Sequence, residues 1–237
     1  MTMPIAPLSA DRLGRLDRYL DGAVADLFRH DVRLRDLDLR VEFRGAVAHV
    51  TGAVAGQDDL DRARDLIGAT AGVLGVWDRV VVAGRRPVCL DLGCGDQKQY
   101  PDNIGVDVRQ APAVDVVADL RNGIPMPDRS VDRVFAVHVL EHLIDFLPLV
   151  DECHRVLRPG GLLHVLSPWW RYVNAVADPT HVRLLDVQTF KGICDRPGTD
   201  RRWYPRHAAC DGASVFADLA PHDGAAPEPE HMARFFD

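Results

Sequence analysis

The sequence predicts an α/β fold, a parallel sheet wound with helices, preceded by a small α+β domain. Three observations predict it. From residue 88 onward, short apolar runs of strand length alternate with segments of helical period. The first run, Val88-Cys89-Leu90-Asp91-Leu92, breaks into Gly93-Cys94-Gly95, the turn that lets backbone approach a ligand at the end of a strand. Before residue 84 the pattern differs: a charged and apolar alternation, a glycine break, a second strand, then a helix. The chain's 237 residues, 47% hydrophobic and 27% charged, can bury a core without disulfides or metal staples.

Elements follow in order. Leu13, Leu16, Leu20, Val24 and Leu27 form one helical stripe across Asp11 to Phe28, with Ser9 as the expected N-cap. Leu39 to Arg44 alternates strictly, a half-buried strand. Gly45 ends it, and Ala46 to Val54 is its hairpin partner. Asp58 and Asp59 open a helix whose inward residues are Leu60, Ala63, Leu66 and Ile67, acids in a first turn suiting the helix dipole. Gly72 and Gly75 end that helix, and Val76 to Val82 is a third strand. Residues 41–82 resemble a BON domain, with Gly45, Thr51, Gly52, Val54, Gly75 and Val76 in the family's places. The resemblance implies a structural or self-associating module, and hence a homo-oligomer. Ala83 to Pro87 is the linker, so the expected domains are residues 1–84 and 87–237.

The second domain begins with Val88 to Leu92. Asn103 to Asp107, Val114 to Leu120, Val131 to Val137 and Leu162 to Leu166 are the next expected strands. Asp145 to Leu157 is a helix that Arg158-Pro159-Gly160-Gly161 stops. Val215 to Leu219 is short enough for an added edge strand, and Glu230 to Phe236 is a terminal helical turn. Polar groups fall at the carboxyl ends of the strands, where open α/β sheets bind ligands. A ligand with a ribose and a base would suit this set: the glycines admit an amino-acid or phosphate group, Asp107 can accept from two vicinal ribose hydroxyls, and Asp119 can accept from an exocyclic amine.

The segments LDLGCG, GVDV, VVADL, VDRVFAVHVLEHL and ECHRVLRPGGLLHVLSPWW resemble the class I S-adenosylmethionine-dependent methyltransferases, over residues 87–192. The type 11 subgroup is the nearest likeness, because Asp178-Pro179-Thr180-His181 follows the last strand of the set. The resemblance implies a Rossmann-like methyltransferase sheet with helices on both faces and S-adenosyl-L-methionine as cofactor. Asp91, Gly93, Cys94 and Gly95 would hold the methionine moiety. Asp107 would bind the ribose, Val108 the adenine face, and Asp119 and Leu120 the adenine edge. His138 and Val139 would lie beside the sulfonium. One departure is the missing third glycine: Gly95 is followed by Asp96-Gln97-Lys98-Gln99, and the stretch from Asp91 to Asp107 is too short for a full first helix. That opens the cofactor site on this side and disfavours a dinucleotide.

Methyl transfer needs alignment first, and a base only where the nucleophile is protonated. Histidine suits that base by its pKa, and His138, His142 and His181 are the candidates. His138-Val139-Leu140-Glu141-His142 also spells H-x-x-E-H, a metalloprotease signature whose histidines would share a helical face. No third ligand has a motif-supported place, so no metal is expected. Asp178 and His181 are either substrate or acid–base groups or an Asp-Pro turn with its cap. Trp169, Trp170 and Tyr172 are an aromatic wall for substrate or packing, and Arg201 to His207 is a basic-aromatic patch whose default is a solvated face.

The remaining composition excludes other classes. Net charge is −7, and no basic block is long enough for nucleic acid. Lys98 and Lys191 are the only lysines, so arginine supplies the rest of the 28 cations, which codon composition explains. Met1 to Leu8 lacks the cationic and apolar parts of a leader, and no apolar run approaches the ~18 residues of a membrane span. Cys89, Cys94, Cys153, Cys194 and Cys210 match no zinc spacing and are expected to be reduced, in the cytoplasm; Cys89, Cys153 and Cys210 read as small hydrophobes. The function expected is methyl transfer to oxygen or nitrogen of a small molecule or peptide, in a specialised biosynthetic pathway. The alternatives are a non-catalytic cofactor-binding scaffold assembled through the BON-like module, and metal-dependent hydrolysis.

Overall fold

The computed structural model describes residues 10–237. Ser9, the expected first cap, lies outside them. The described chain divides into two compact units that meet in sequence at Pro87 and Val88.

The first unit holds α1 (Ala10–His30), β1 (Asp38–Arg44), β2 (Val47–Val54), α2 (Gln57–Gly68), β3 (Gly75–Asp78) and β4 (Val81–Val82). β1 and β2 pair antiparallel across the two-residue turn Gly45-Ala46, with φ of 59° and 61°. Two positive φ values match the twist of the flanking strands. Ala46 tolerates this because Asp17 of α1 accepts hydrogen bonds from both turn amides, at 3.0 and 2.7 Å. β3 and β4 both run parallel to β2, so the expected single strand Val76 to Val82 is interrupted at Arg79 and Val80. Leu66 is only half-buried. Arg64 is buried in its place and forks onto the buried Asp78 at 2.9 and 2.7 Å. Periodicity could not show that pair, whose members lie on different elements.

The second unit holds β5 (Cys89–Leu92), β6 (Ile104–Asp107), β7 (Val116–Val117), β8 (Val131–Val137), α3 (Leu147–Val156), β9 (Leu157–Pro168), α4 (Asn174–Ala177), α5 (Val187–Cys194), β10 (Arg202–Cys210), β11 (Ser214–His222) and α6 (Pro229–Phe236). Its sheet has the order β10-β11-β9-β8-β5-β6-β7. β5 to β9 run parallel, and β11 is antiparallel to both of its neighbours. The winding reverses between β5 and β8, and such a switch point opens a crevice at the carboxyl ends.

Four expectations change here. β7 is two residues long, because its pairing with β6 covers only Val116 and Val117. Arg158 to Gly161 does more than stop α3, since β9 starts at Leu157 and absorbs the segment through a register irregularity opposite Val131 and Arg133. β11 is an interior strand and β10 forms the edge, so the basic-aromatic patch is a strand whose Trp203 is in the core. The helices cover one face. Leu90, Val134, Val165 and Ala217 of the sheet share one apolar core with α3, α5 and α6. Residues 93–103, which would carry a helix to the other face, form turns only. On that face Tyr100 meets Phe135 edge-on at 5.5 Å, and Phe135 stacks on His164 at 4.8 Å.

Cys153 and Cys194 are buried in this core, and burial pushes the Cys194 thiol up to about 12. Cys210, expected to pack as a small hydrophobe, is exposed at the end of the edge strand β10. Among the described residues no helix is long and apolar enough to cross a membrane.

Candidate functional site

The loops after β5, β6, β7 and β8 meet over the switch point. Gly93 follows β5 with φ of 61°, and its amide donates to the Val106 carbonyl at 2.7 Å, which bends the chain away from the sheet. Gly95 has φ of 51°, and its amide donates to one Asp107 carboxylate oxygen at 3.0 Å. The other Asp107 oxygen accepts from the Arg109 amide at 2.9 Å. Asp107 therefore ties two loops together, and each oxygen keeps a second lone pair. A cavity of about 640 Å³ opens here, within the range of small-molecule sites.

That cavity is lined by Gly93, Asp107, Val108, Asp119, Leu120, His138 and Val139, together with Leu143 and Arg121. Val108 is an apolar side chain left 57% exposed, a platform for a flat ring. Asp119 is gripped by its neighbour: Arg121 Nε and Nη2 donate to it at 2.9 and 2.7 Å. Those hydrogen bonds hold the Asp119 carboxyl down at about 2. Three residues expected at the cofactor are absent from the lining: Asp91, Cys94 and Gly95. Asp91 is buried behind the loop, accepting from the Gln99 amide at 2.7 Å and Asn103 Nδ2 at 3.0 Å. Burial raises its pKa. Cys94 Sγ faces the Ala113 carbonyl at 3.5 Å, and burial raises that thiol too. Asp91 therefore shapes the loop from behind.

A second cavity, of about 580 Å³, adjoins the first and is lined by His138, His142, Asn174, Asp178 and His181. His138 and His142 border both cavities. The three candidate histidines are thus brought together, though not as a helix would place them. His138 sits just beyond β8 with φ of 57°, and Leu140 to His142 is a single tight turn. The H-x-x-E-H spacing therefore does not put His138 and His142 on one helical face. A β-substituted residue in this left-handed region is strained, and such strain concentrates at functional sites.

His138 Nδ1 lies 3.0 Å from Glu141 Oε1, and Ser167 Oγ donates to Glu141 Oε2 at 2.9 Å. Burial alone would raise the Glu141 carboxyl. Hydrogen bonds from His138, its own amide and Ser167 outweigh burial and hold it below the ordinary glutamate value. An ionised Glu141 fixes Nδ1 of His138 as the donor and leaves Nε2 with the lone pair. Nothing in the sequence signals Ser167, because it reaches Glu141 from 26 residues away. On the loop after α4, Asp178 accepts from the Thr180 amide at 2.8 Å and Thr180 Oγ1 at 2.6 Å. His181 meets His142 edge-on at 4.7 Å. The Asp-Pro turn and the cavity wall are therefore the same structure. Trp169 and Trp170 both donate their indole N–H to Asp186, at 2.7 and 3.0 Å, which anchors the pair at the start of α5 and leaves Trp170 exposed.

Residues 90–165 match the methyltransferase domain family. The chain is 45% identical over 74 residues to a probable S-adenosylmethionine-dependent methyltransferase of Mycolicibacterium smegmatis, covering 27% of this chain and 29% of that one. It is 36% identical over 107 residues to one of Mycobacterium tuberculosis, 45% of this chain and 36% of that one. It is 30% identical over 105 residues to the ubiquinone biosynthesis O-methyltransferase of Pseudomonas aeruginosa, 35% of this chain and 44% of that one. The chain thus spans less than half the length of each of these relatives. Residues 90–165 therefore match a methyltransferase domain, and the relatives' names make S-adenosylmethionine the implied cofactor.

Proposed function

We propose that this chain is a methyltransferase that takes S-adenosylmethionine in the cavity over β5 to β8 and a methyl acceptor in the adjoining one. The observation that carries this reading is His138, on the wall shared by the two cavities and oriented by Glu141. The residues fit the cofactor. Asp107 retains acceptor capacity for ribose hydroxyls, Val108, Leu120, Val139 and Leu143 offer apolar surface to a base, and a Cβ built on Gly93 would crowd Val139 Cγ2 at 3.0 Å. Asp91 and Cys94 enter by shaping the loop. The bound cofactor supplies an activated methyl group on sulfur.

The chain's own residues do the rest. The loops hold donor and acceptor in line, which lowers the barrier by several kcal/mol. His138 Nε2 takes the proton of an acceptor hydroxyl or ammonium, and Glu141 stabilises the imidazolium that results. His142 and His181 line the acceptor side. An oxygen acceptor on a small molecule or peptide is favoured by the named O-methyltransferase among the relatives. A specialised biosynthetic pathway and a cytoplasmic location complete this reading. The first unit is proposed as the BON-like module, supported by its order of helix, hairpin, helix and strand, with self-association as its role. A domain boundary at residues 84–87 is supported by the break between the units.

Titration calorimetry tests the reading. Both S-adenosylmethionine and its demethylated product are expected to bind one per chain with micromolar affinity. Absence of heat for both would reject it. One-to-one binding with no turnover of any hydroxyl- or amine-bearing acceptor would favour the scaffold instead.

A further inference from the structure

We infer that Glu141, His142 and His181 form a divalent-cation site, two histidines and one carboxylate, on the wall of the acceptor cavity. One ligand atom from each lies within 4.8 Å of the others. H-x-x-E-H lacks a third ligand in the sequence. The fold supplies it from the loop after α4, where His181 of Asp178-Pro179-Thr180-His181 takes the place of the motif's first histidine.

Each ligand carries its own argument. His142 Nδ1 lies 3.2 Å from the Thr180 carbonyl and 3.0 Å from Thr180 Oγ1. The Thr180 hydroxyl already donates to Asp178, so both Thr180 oxygens can only accept, and Nδ1 of His142 carries the hydrogen. Its Nε2 therefore keeps a lone pair, with the far side of the ring fixed by a carbonyl, as metal-bound histidines are. His181 has a side chain only 8% exposed, and its Nδ1 is buried with no hydrogen-bond partner. A buried, unpartnered nitrogen is costly unless something uses it. Glu141 is a buried carboxylate whose side-chain partners, His138 and Ser167, carry no permanent positive charge. A cation supplies the missing countercharge.

Two imidazoles and one carboxylate suit a first-row transition ion such as Zn²⁺ or Co²⁺. At bond lengths of about 2.1 Å the ligand atoms would draw to about 3.0–3.4 Å apart. Two of the ligands, His142 and His181, line the cavity, so open coordination positions would face the acceptor. The role of the ion rests on the methyltransferase reading: it would bind and acidify an acceptor oxygen beside His138. This gives the acceptor class as a metal-chelating oxygen compound, for example a catechol or a hydroxy acid.

The test uses the full chain stripped of metal, titrated with Zn²⁺ by calorimetry and with Co²⁺ by visible absorption. One ion per chain is expected, with a Co²⁺ spectrum of nitrogen and carboxylate ligation. His142→Ala, at an exposed position, should weaken binding about 100-fold or more, and His181→Ala should do the same. Asp107→Ala should leave metal affinity unchanged while weakening cofactor binding about 100-fold. No stoichiometric ion, or an unaltered isotherm in His142→Ala, overturns the site. A chain that binds the demethylated cofactor and no ion overturns the metal site alone; one that binds the ion and no cofactor overturns the methyltransferase reading alone.

Discussion

His138→Asn lowers kcat by about 10²–10⁴-fold, the contribution of a positioned base, while cofactor affinity stays within about threefold. Three features equip His138 for this role. His138 borders both cavities, its Nδ1 is held by Glu141, and its backbone φ is 57°. Asparagine is chosen because its short amide tolerates the left-handed region better than most residues. A loss of rate is then not a loss of fold, and an unchanged melting temperature checks that. The rate is read from transfer of labelled methyl to acceptors screened for hydroxyl or amine groups. A kcat within about tenfold of the parent means that alignment alone carries the reaction.

Asp107→Ala weakens binding of the demethylated cofactor by about 100-fold, or about 2.7 kcal/mol. The buried carboxylate does two things at once. It presents acceptor capacity to the cavity, and it holds the Gly95 and Arg109 amides at 3.0 and 2.9 Å. Removing it takes away the ribose partner and frees both loops. Asp107→Asn separates the effects, since its carbonyl still accepts one amide while its NH₂ cannot. Calorimetry on the two variants should rank them parent, Asn, Ala in falling affinity. Equal affinities would place the ribose elsewhere.

The parts of the fold legible in the sequence are those fixed by local pattern. Val131 to Val137 was readable because Val134 to Val137 is apolar throughout and the whole run is buried at nearly every position. The turn at Gly45, the cleft glycines and Asp107 were readable because backbone chemistry demands those residue types there. Position in the sheet was not. Val215 to Leu219 has the pattern of any short strand, and only its pairing with both β9 and β10 makes it interior. Three valines and a leucine suggested a long third strand, yet only two residues reach the β6 backbone. The helices expected on both faces failed for a related reason: residues 93–103 are too few and too rich in turn residues to cross a sheet as a helix.

The site was legible by residue type and misread by geometry. His138, His142 and His181 do converge, but through a strained strand end and a loop. The spacing of H-x-x-E-H assumes a helix, and a single positive φ at His138 breaks that assumption. Contacts such as Ser167 on Glu141 and Thr180 on His142 join residues 26 and 38 apart, where no periodicity operates. Asp91 was assigned to the ligand by resemblance, and the structure turns it toward Gln99 and Asn103. Its contribution is therefore to loop shape.

A crystal structure of the chain with the demethylated cofactor tests the central claim most directly. The expected result places the ribose on Asp107, the base against Val108, and the sulfur at the boundary of the two cavities, within one acceptor atom of His138 Nε2. A sulfur directed away from His138, or a ligand bound outside the crevice over β5 to β8, would contradict the account.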